Sequence, residues 1–305
     1  MQLCSFSAFL EEELARRFTV HRWLEHAEHE FLLSTRASAI RAVATGGHLG
    51  VPAHLMARLP ALGIIAVNGV GLDKVDLDEC RRRNVRVTTT PGVLTDDVAD
   101  LALGLIIALL RGIPEADRFV REGGWLRGER PLARKVSGRH FGIVGLGNIG
   151  RAIATRLAIL GPVSYCDLRP QQVPYEFVSS PIELAHRSDV LILAASANAS
   201  TRNLIDAEVL YALGPNGYLI NIARGALIDE PALVSAVLSG RIAGAALDTF
   251  ADEPNVPKEL IGRPEVILTP HVASATGETR EAMARAVLAN LDAFFAGRAP
   301  PGAIV

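Results

Sequence analysis

The segment Gly142-Ile143-Val144-Gly145-Leu146-Gly147-Asn148-Ile149-Gly150 decides the fold class of this chain. An apolar run ends in G-x-G-x-x-G, and the amphipathic run 151–160 that follows has the period of a helix. At such a strand-to-helix turn, the first glycine permits a tight bend and the second lets the backbone approach a pyrophosphate, while the third lets the helix pack on the sheet. The N–H groups of the helix N-terminus then favour phosphate. Glycines also serve ordinary turns, but this context predicts a dinucleotide site at Gly145, Leu146, Gly147, Asn148, Ile149 and Gly150.

An acidic residue follows the next predicted strand. Residues 163–166 form an apolar run that ends at Asp167, about 20 positions after the glycines, where the ribose hydroxyls of NAD need a carboxylate. The same carboxylate would repel the 2′-phosphate of NADP, although Arg169 stands two positions further on and would soften that repulsion. We therefore expect NAD as the cofactor, without excluding NADP.

The bulk properties fit an enzyme that acts on small molecules. The chain has 305 residues, of which 49% are hydrophobic and 21% charged, and this is enough for two domains. Its net charge of −2 gives no electrostatic basis for binding nucleic acid or an anionic membrane. Cys4, Cys80 and Cys166 are odd in number and widely spaced, so we expect neither a disulfide framework nor a metal site. With no signal peptide predicted over residues 1–10 and no apolar run of roughly 18 residues, we expect a cytoplasmic protein.

Strands and helices alternate along the whole chain. The first 90 residues contain predicted strands at 40–45, 62–67 and 85–89, and the second of these leads into another glycine turn, Gly69-Val70-Gly71. After Pro91-Gly92, a long apolar helix is predicted at 98–110. From Gly142 onward, six strands alternate with helices, and a last helix is predicted at 278–295.

We therefore predict an α/β fold with two Rossmann-like, doubly wound parallel-sheet domains and an active-site cleft between them. Residues 1–92 would form a substrate-binding domain and residues 93–275 a dinucleotide-binding domain. Residues 276–305 would form a C-terminal helix and tail that return to the substrate-binding domain.

Three successive strands of the predicted dinucleotide domain end in polar residues. Arg224 follows the strand 217–223, Asp248 and Glu253 follow 243–248, and His271 follows 265–270. Ligands bind outside the carboxyl ends of parallel strands, where arginine holds a carboxylate and histidine exchanges a proton near neutral pH. A carboxylate beside the histidine would favour its protonated form. Taken singly, Arg224 also fits a surface ion pair, Glu253 a turn residue and His271 a structural histidine. The sequence does not show whether Glu253 touches His271.

Several stretches together resemble the D-isomer-specific 2-hydroxyacid dehydrogenase family, over nearly the whole chain. They are VGLDKVDLDEC, TTTPGVLTDDVADLALGLIIALLR, GIVGLGNIG, YALGPNGYLINIARGALIDEPALVSAV, LDTFADEPNVP and LTPHVASAT. Within the family, the hydroxypyruvate/glyoxylate and hydroxyphenylpyruvate reductases are the most similar. The resemblance implies an NAD(P)-dependent oxidoreductase that reduces a small 2-oxo acid (glyoxylate, hydroxypyruvate or an aryl pyruvate) to the D-2-hydroxy acid. It also implies a homodimer.

The resemblance assigns roles residue by residue. Arg224 would hold the substrate, His271 would be the general acid and Glu253 its partner. The backbone N–H groups of Val70 and Gly71 would bind the substrate carboxylate. The predicted cofactor contacts beyond the glycine turn are Thr95, Asp167, Ala223 and Asp248, of which Asp248 would hold the nicotinamide amide.

Some positions depart from the family pattern. Ser196 stands where proline is common and Ala273 where glycine is common, and Asp167-Leu168 replaces the Ser-Arg pair that favours NADP in similar reductases. Glu253, in place of glutamine, argues against formate dehydrogenase. An alternative function is that of an NAD-sensing interaction protein of the corepressor type, since a fold does not fix a function.

Overall fold

The computed structural model describes residues 1–23 and 29–305. Its helices are α1 Ala8–Arg17, α2 His29–Arg36, α3 Ala53–Ala57, α4 Leu77–Arg82, α5 Thr95–Arg111, α6 Ile113–Arg121, α7 Asn148–Leu157, α8 Pro181–Arg187, α9 Ala207–Leu213, α10 Glu230–Leu238 and α11 Gly277–Phe295. Its strands are β1 Ala42–Gly46, β2 Ile64–Asn68, β3 Arg86–Thr88, β4 Phe141–Val144, β5 Val163–Cys166, β6 Glu176–Phe177, β7 Val190–Leu193, β8 Tyr218–Asn221, β9 Gly244–Leu247 and β10 Val266–Leu268.

The chain divides into two compact units. Unit 1 contains Met1–Leu94 and Ser274–Val305, and unit 2 contains Thr95–Ala273. The divisions expected from the sequence lie after residues 92 and 275, two residues away at each junction. Both units are built on parallel sheets with helices, so the predicted α/β class is confirmed.

Unit 1 contains a parallel sheet with the strand order β1-β2-β3 and an apolar cluster on each face. Ile65 and Val67 of β2 belong to one cluster, and Ile64 and Ala66 belong to the other. The alternation follows from the period of two along a strand. On the second face, α1 and α11 supply the packing partners, so side chains at even positions of β2 leave the sheet toward these two helices.

Unit 2 contains the larger sheet, with the strand order β10-β9-β8-β7-β4-β5-β6 and only parallel pairs. The order reverses between β4 and β7, because β5 lies on one side of β4 while β7 and the later strands lie on the other. This reversal is the topological switch point at which doubly wound sheets bind dinucleotides. The glycine turn after β4 therefore stands at the ligand-binding edge.

The structure corrects the predicted elements in three places. Strand β6 was missed because only two residues pair with β5. Helix α2 was also missed. Helix α5 begins at Thr95 rather than at residue 98, because Asp96 and Asp97 occupy its first turn, where the helix dipole favours carboxylates.

Candidate active site

The glycine turn after β4 has the geometry that a pyrophosphate needs. Gly145 has a φ of +92°, and a Cβ there would lie 2.5 Å from the Cα of Ala195. A Cβ at Gly150 would overlap the carbonyl oxygen of Gly145, so α7 packs directly against the turn. At Gly147, in contrast, a Cβ would meet no atom within 4 Å. The turn thus leaves open space at the N-terminus of α7, whose first N–H groups have no partner within the helix.

Asp167 is fixed beside this turn. Its Oδ2 accepts hydrogen bonds from Leu146 N at 2.9 Å and from Gln171 Nε2 at 2.7 Å, and its Oδ1 accepts one from Leu168 N at 2.7 Å. Negative charge is therefore held at the carboxyl end of β5, next to the phosphate-binding turn. The predicted residues Leu146 and Asp167 are brought together by a direct hydrogen bond.

Two further side chains at this position were not predicted from the sequence. Gln171 connects Asp167 to Arg151 of α7, because its amide oxygen accepts a hydrogen bond from the Arg151 guanidinium. The signal for Gln171 was its position just beyond a strand-end carboxylate, but a glutamine in a loop is too common to single out.

Asp248 is a buried anchor for the loop that carries His271. Its side chain is fully buried, and it accepts hydrogen bonds from Thr269 Oγ1 at 2.6 Å, Val272 N at 2.8 Å and Ala273 N at 2.9 Å. Such charge-assisted bonds to a buried carboxylate fix the loop geometry. The sequence showed a carboxylate at a strand end but not these three donors. A positioning role is therefore the observed one, and contact with the nicotinamide amide stays a prediction.

His271 and Glu253 form a hydrogen-bonded pair. His271 Nδ1 lies 2.8 Å from Glu253 Oε2, and the two side chains are 32% and 28% exposed. The backbone of His271 has a φ of +52°, and its N–H donates to the carbonyl of Asp248 at 2.9 Å. A left-handed conformation is uncommon for a residue other than glycine, and such strain clusters at functional sites. The surrounding loop thus holds the imidazole in a set orientation.

The pKa of Glu253 lies below its ordinary value. Burial raises it, but the hydrogen bond from His271, the charge of that imidazole, the N–H of Phe250 and the charge of Arg224 together lower it further. The Phe250 N–H donates to Oε1 at 3.1 Å, so both carboxylate oxygens are engaged. Glu253 is therefore ionised at neutral pH and is placed to stabilise a protonated imidazole.

Arg224 is positioned by the turn after β8. Asn221, which is completely buried, accepts from Ala223 N at 3.0 Å and donates its amide to the carbonyl of Arg224, also at 3.0 Å. A Cβ at Gly225 would overlap the backbone of Phe250, so this turn packs against the segment that leads to Glu253. The guanidinium donates to Ala223 O at 2.7 Å. Asn221 was not predicted, because an asparagine inside a strand pattern has no distinctive spacing.

The remaining predicted residues belong to other parts of the fold. Val70, which is 39% exposed, and half-buried Gly71 follow β2 of unit 1, and half-buried Thr95 is the first residue of α5 in unit 2. Within residues 1–23 and 29–305, no cluster of metal-ligating side chains is found. In the same described part of the chain, every helix is too short or too polar to cross a membrane.

The chain is similar to known proteins along its full length. The sequence model of the NAD-binding domain of the D-isomer specific 2-hydroxyacid dehydrogenases matches residues 103–273. A glyoxylate/hydroxypyruvate reductase A of Arabidopsis thaliana is 47% identical over 98% of this chain and 96% of its own length. A hydroxyphenylpyruvate reductase of Plectranthus scutellarioides is 48% identical over the same shares.

A solved structure agrees with these sequence matches. The NADPH-dependent glyoxylate/hydroxypyruvate reductase of Sinorhizobium meliloti, in complex with NADP and malonate, superposes with a TM-score of 0.94 at 38% identity. The match covers 100% of this chain and 95% of that one.

Proposed function

Because the chain belongs to the D-isomer specific 2-hydroxyacid dehydrogenase family, we propose that it reduces a small 2-oxo acid to the D-2-hydroxy acid with NAD(P)H. The candidate substrates are glyoxylate, hydroxypyruvate and aryl pyruvates, and each of these three kinds is named for a similar protein. The observation that carries the proposal is the pair formed by His271 Nδ1 and Glu253 Oε2 at 2.8 Å. An interaction protein of the corepressor type finds no support, since the similar proteins are named as reductases.

The hydrogen bond between His271 and Glu253 bears on which nitrogen of the imidazole gives its proton to the substrate. Since Nδ1 of His271 bonds to Glu253, we propose that the other ring nitrogen, Nε2, donates the proton to the carbonyl oxygen of the substrate. Ionised Glu253 keeps the Nδ1–H in place before and after the transfer, as a carboxylate does for the base in a catalytic triad. Arg224 would hold the substrate and polarise its carbonyl. The bound nicotinamide supplies the hydride, while these side chains orient the substrate and supply the proton.

The substrate carboxylate would be bound by backbone groups. We propose that the N–H groups of Val70 and Gly71, at the turn after β2, donate to it. Successive N–H groups at a glycine turn form a concave anion site without a charged side chain. The cofactor would contact Gly145–Gly150 and Asp167, with further contacts at Thr95, Ala223 and Asp248.

We propose that NAD is preferred over NADP. The support is the carboxylate of Asp167, which is held by Leu146 N beside the open space at Gly147. A 2′-phosphate at this ribose would face that fixed negative charge. The similar Sinorhizobium meliloti enzyme binds NADP, so this chain would differ from it in cofactor choice.

A homodimer is supported by three large apolar side chains of unit 2 that are exposed. Trp125, Leu126 and Leu132 are 72%, 93% and 99% exposed. Large exposed apolar patches mark interaction sites on soluble proteins. We propose that a second copy of the chain covers these side chains.

A cytoplasmic location is proposed from the cysteines. Cys4, Cys80 and Cys166 are buried thiols without a disulfide, and burial raises the pKa of each, that of Cys4 to about 11. Buried neutral thiols are compatible with a reducing compartment.

The test is a substrate panel with both cofactors. Purified protein is mixed with glyoxylate, hydroxypyruvate or hydroxyphenylpyruvate and NADH or NADPH, and oxidation of the cofactor is followed by absorbance. We expect steady turnover with at least one acid and a product of D configuration. Cofactor binding without turnover of any 2-oxo acid would refute the proposal.

A further inference from the structure

We propose that Gln171 is a positioning residue for Asp167, and that it leaves this carboxylate able to bind only one of the two hydroxyl groups of the adenosine ribose of NAD. The inference rests on the proposed cofactor site and states how that site would recognise the sugar. It starts from the hydrogen bonds that the Asp167 carboxylate already accepts within unit 2.

The backbone of Gln171 is anchored to the core of unit 2. Its N–H donates to the hydroxyl of Tyr165 at 2.7 Å, and its carbonyl accepts from Val173 N at 3.0 Å. Tyr165 of β5 is 1% exposed, and its ring lies edge-on to that of Phe177 of β6, with 5.6 Å between the centroids. Because a buried tyrosine hydroxyl needs a polar partner, this bond ties the loop between β5 and β6 to the core at Gln171.

The side-chain amide of Gln171 has its orientation set by two charged neighbours. Its Nε2 donates to Asp167 Oδ2 at 2.7 Å, and its Oε1 accepts from the guanidinium of Arg151, near the start of α7. An arginine side chain can only donate and an ionised carboxylate can only accept, so the amide bonds to both neighbours in one orientation alone. The Nε2 donor is therefore directed at Asp167.

Three donors from the protein occupy most of the Asp167 carboxylate. An ionised carboxylate has about four acceptor positions, two on each oxygen. Oδ2 accepts from Leu146 N at 2.9 Å and from Gln171 Nε2 at 2.7 Å, so both of its positions are occupied. Oδ1 accepts from Leu168 N at 2.7 Å and, within residues 1–23 and 29–305, from no other donor. One position remains for a ligand, and it is on Oδ1.

The ribose offers two neighbouring hydroxyl groups, and the single free position distinguishes them. In dinucleotide sites the acidic residue at this place bonds to the 2′-hydroxyl. Asp167 would therefore accept the 2′-hydroxyl through Oδ1 and would have no position for the 3′-hydroxyl. Without the amide of Gln171, a position on Oδ2 would become free, and the carboxylate could accept both hydroxyls. Gln171 thus determines, through Asp167, how many ribose hydroxyls are recognised.

The experiment measures dissociation constants for NADH and for the two NADH analogues that lack either the 2′- or the 3′-hydroxyl of the adenosine ribose. In wild type, the 2′-deoxy analogue should bind on the order of 10-fold more weakly than NADH, because a hydrogen bond to a charged acceptor is lost. The 3′-deoxy analogue should bind within about 3-fold of NADH.

Two variants test the roles of the two side chains. In Gln171→Met, which keeps the length of the side chain but lacks the amide, the loss for the 3′-deoxy analogue should rise to about 10-fold, because Oδ2 becomes free to accept that hydroxyl. In Asp167→Ala, both analogues should bind within about 3-fold of NADH, because the acceptor itself is gone.

Gln172→Met is the matched control, since it makes the same substitution at the next residue of the loop, which is exposed. A merely structural role of Gln171 would weaken the binding of NADH and of both analogues by the same factor, whereas loss of its contact with Asp167 changes the ratio for the 3′-deoxy analogue alone. Melting temperature verifies that each variant is folded.

The inference is overturned if the 3′-deoxy ratio is the same in Gln171→Met and in wild type. Equal losses for the two analogues in wild type also overturn it, whatever the stability of the variants. Turnover of a 2-oxo acid by the same protein would show that the reductase function nevertheless holds. If NADH binds and no 2-oxo acid is turned over, the proposed function fails, and the same dissociation constants still decide the role of Gln171.

Discussion

The carboxyl edges of the two sheets differ in the polar groups that they carry. In unit 2, Asp248 accepts three hydrogen bonds and Glu253 accepts two, and these bonds fix the loop of His271. In unit 1, the turn after β2 contains Gly69 and Gly71, and the groups proposed to bind the substrate carboxylate are the backbone N–H groups of Val70 and Gly71. Sites for chemistry need preorganised donors and acceptors, whereas a site for a small anion needs accessible N–H groups and space. Under the proposed function, the edge of unit 2 would supply the proton and the edge of unit 1 would bind the substrate carboxylate.

The largest expected effect on the rate is at His271, at the carboxyl edge of the sheet of unit 2. His271→Ala should lower kcat by about 10²–10⁴, the usual contribution of a positioned general acid, and leave the dissociation constant of NADH nearly unchanged. Stopped-flow turnover and cofactor fluorescence measure the two quantities. His186→Ala is a control at an exposed histidine of the same unit. A decline of less than a few-fold in kcat would mean that the proton comes from another group.

The pH dependence tests whether the pair acts as a unit. Glu253→Gln keeps the shape but removes the charge that stabilises the imidazolium, so the alkaline fall in the reduction rate should move to lower pH than in wild type.

The lowered pKa of Glu253 also has a consequence for stability. Because this pKa is depressed in the fold, its contribution is present above the unfolded value and is lost as the pH falls through the folded value. The difference in melting temperature between Glu253→Gln and wild type should therefore shrink in acid. If the pH profiles of the reduction rate superimpose for the two proteins, Glu253 and His271 are not coupled.

Cofactor choice should change by an intermediate amount. Asp167→Ser removes the carboxylate beside the glycine turn, and the ratio of kcat/KM for NADPH to that for NADH should rise on the order of 10-fold. Gln171→Ala is the matched variant, since it removes a neighbour of Asp167 but keeps the charge, and its ratio should change much less. A wild-type protein that already strongly prefers NADPH would show that Arg169 outweighs Asp167.

The sequence predicted the features that depend on short-range patterns. These features are the G-x-G-x-x-G turn, the strand-end residues and the alternation of strands and helices. Each depends on residues that are close in the sequence, so the fold class and the family could be predicted from them. Contacts between segments that are distant in the sequence could not be predicted in this way. That Asp248 receives three donors from 269–273 and that His271 has a positive φ both depend on packing between distant segments.

The smallest effect is expected at Val70, and it tests whether the edge of unit 1 acts through its backbone. Val70 is 39% exposed, and Val70→Ala removes only two methyl groups while it keeps the N–H group proposed to bind the substrate carboxylate. We expect KM to change by less than about 3-fold and kcat to stay the same, because uniform binding is only slightly altered. Leu49→Ala, at a residue of similar exposure in the loop after β1, serves as the control. A large loss of kcat in Val70→Ala alone would show that this side chain positions the reacting carbonyl, and the division between a recognition edge and a chemical edge would then be wrong.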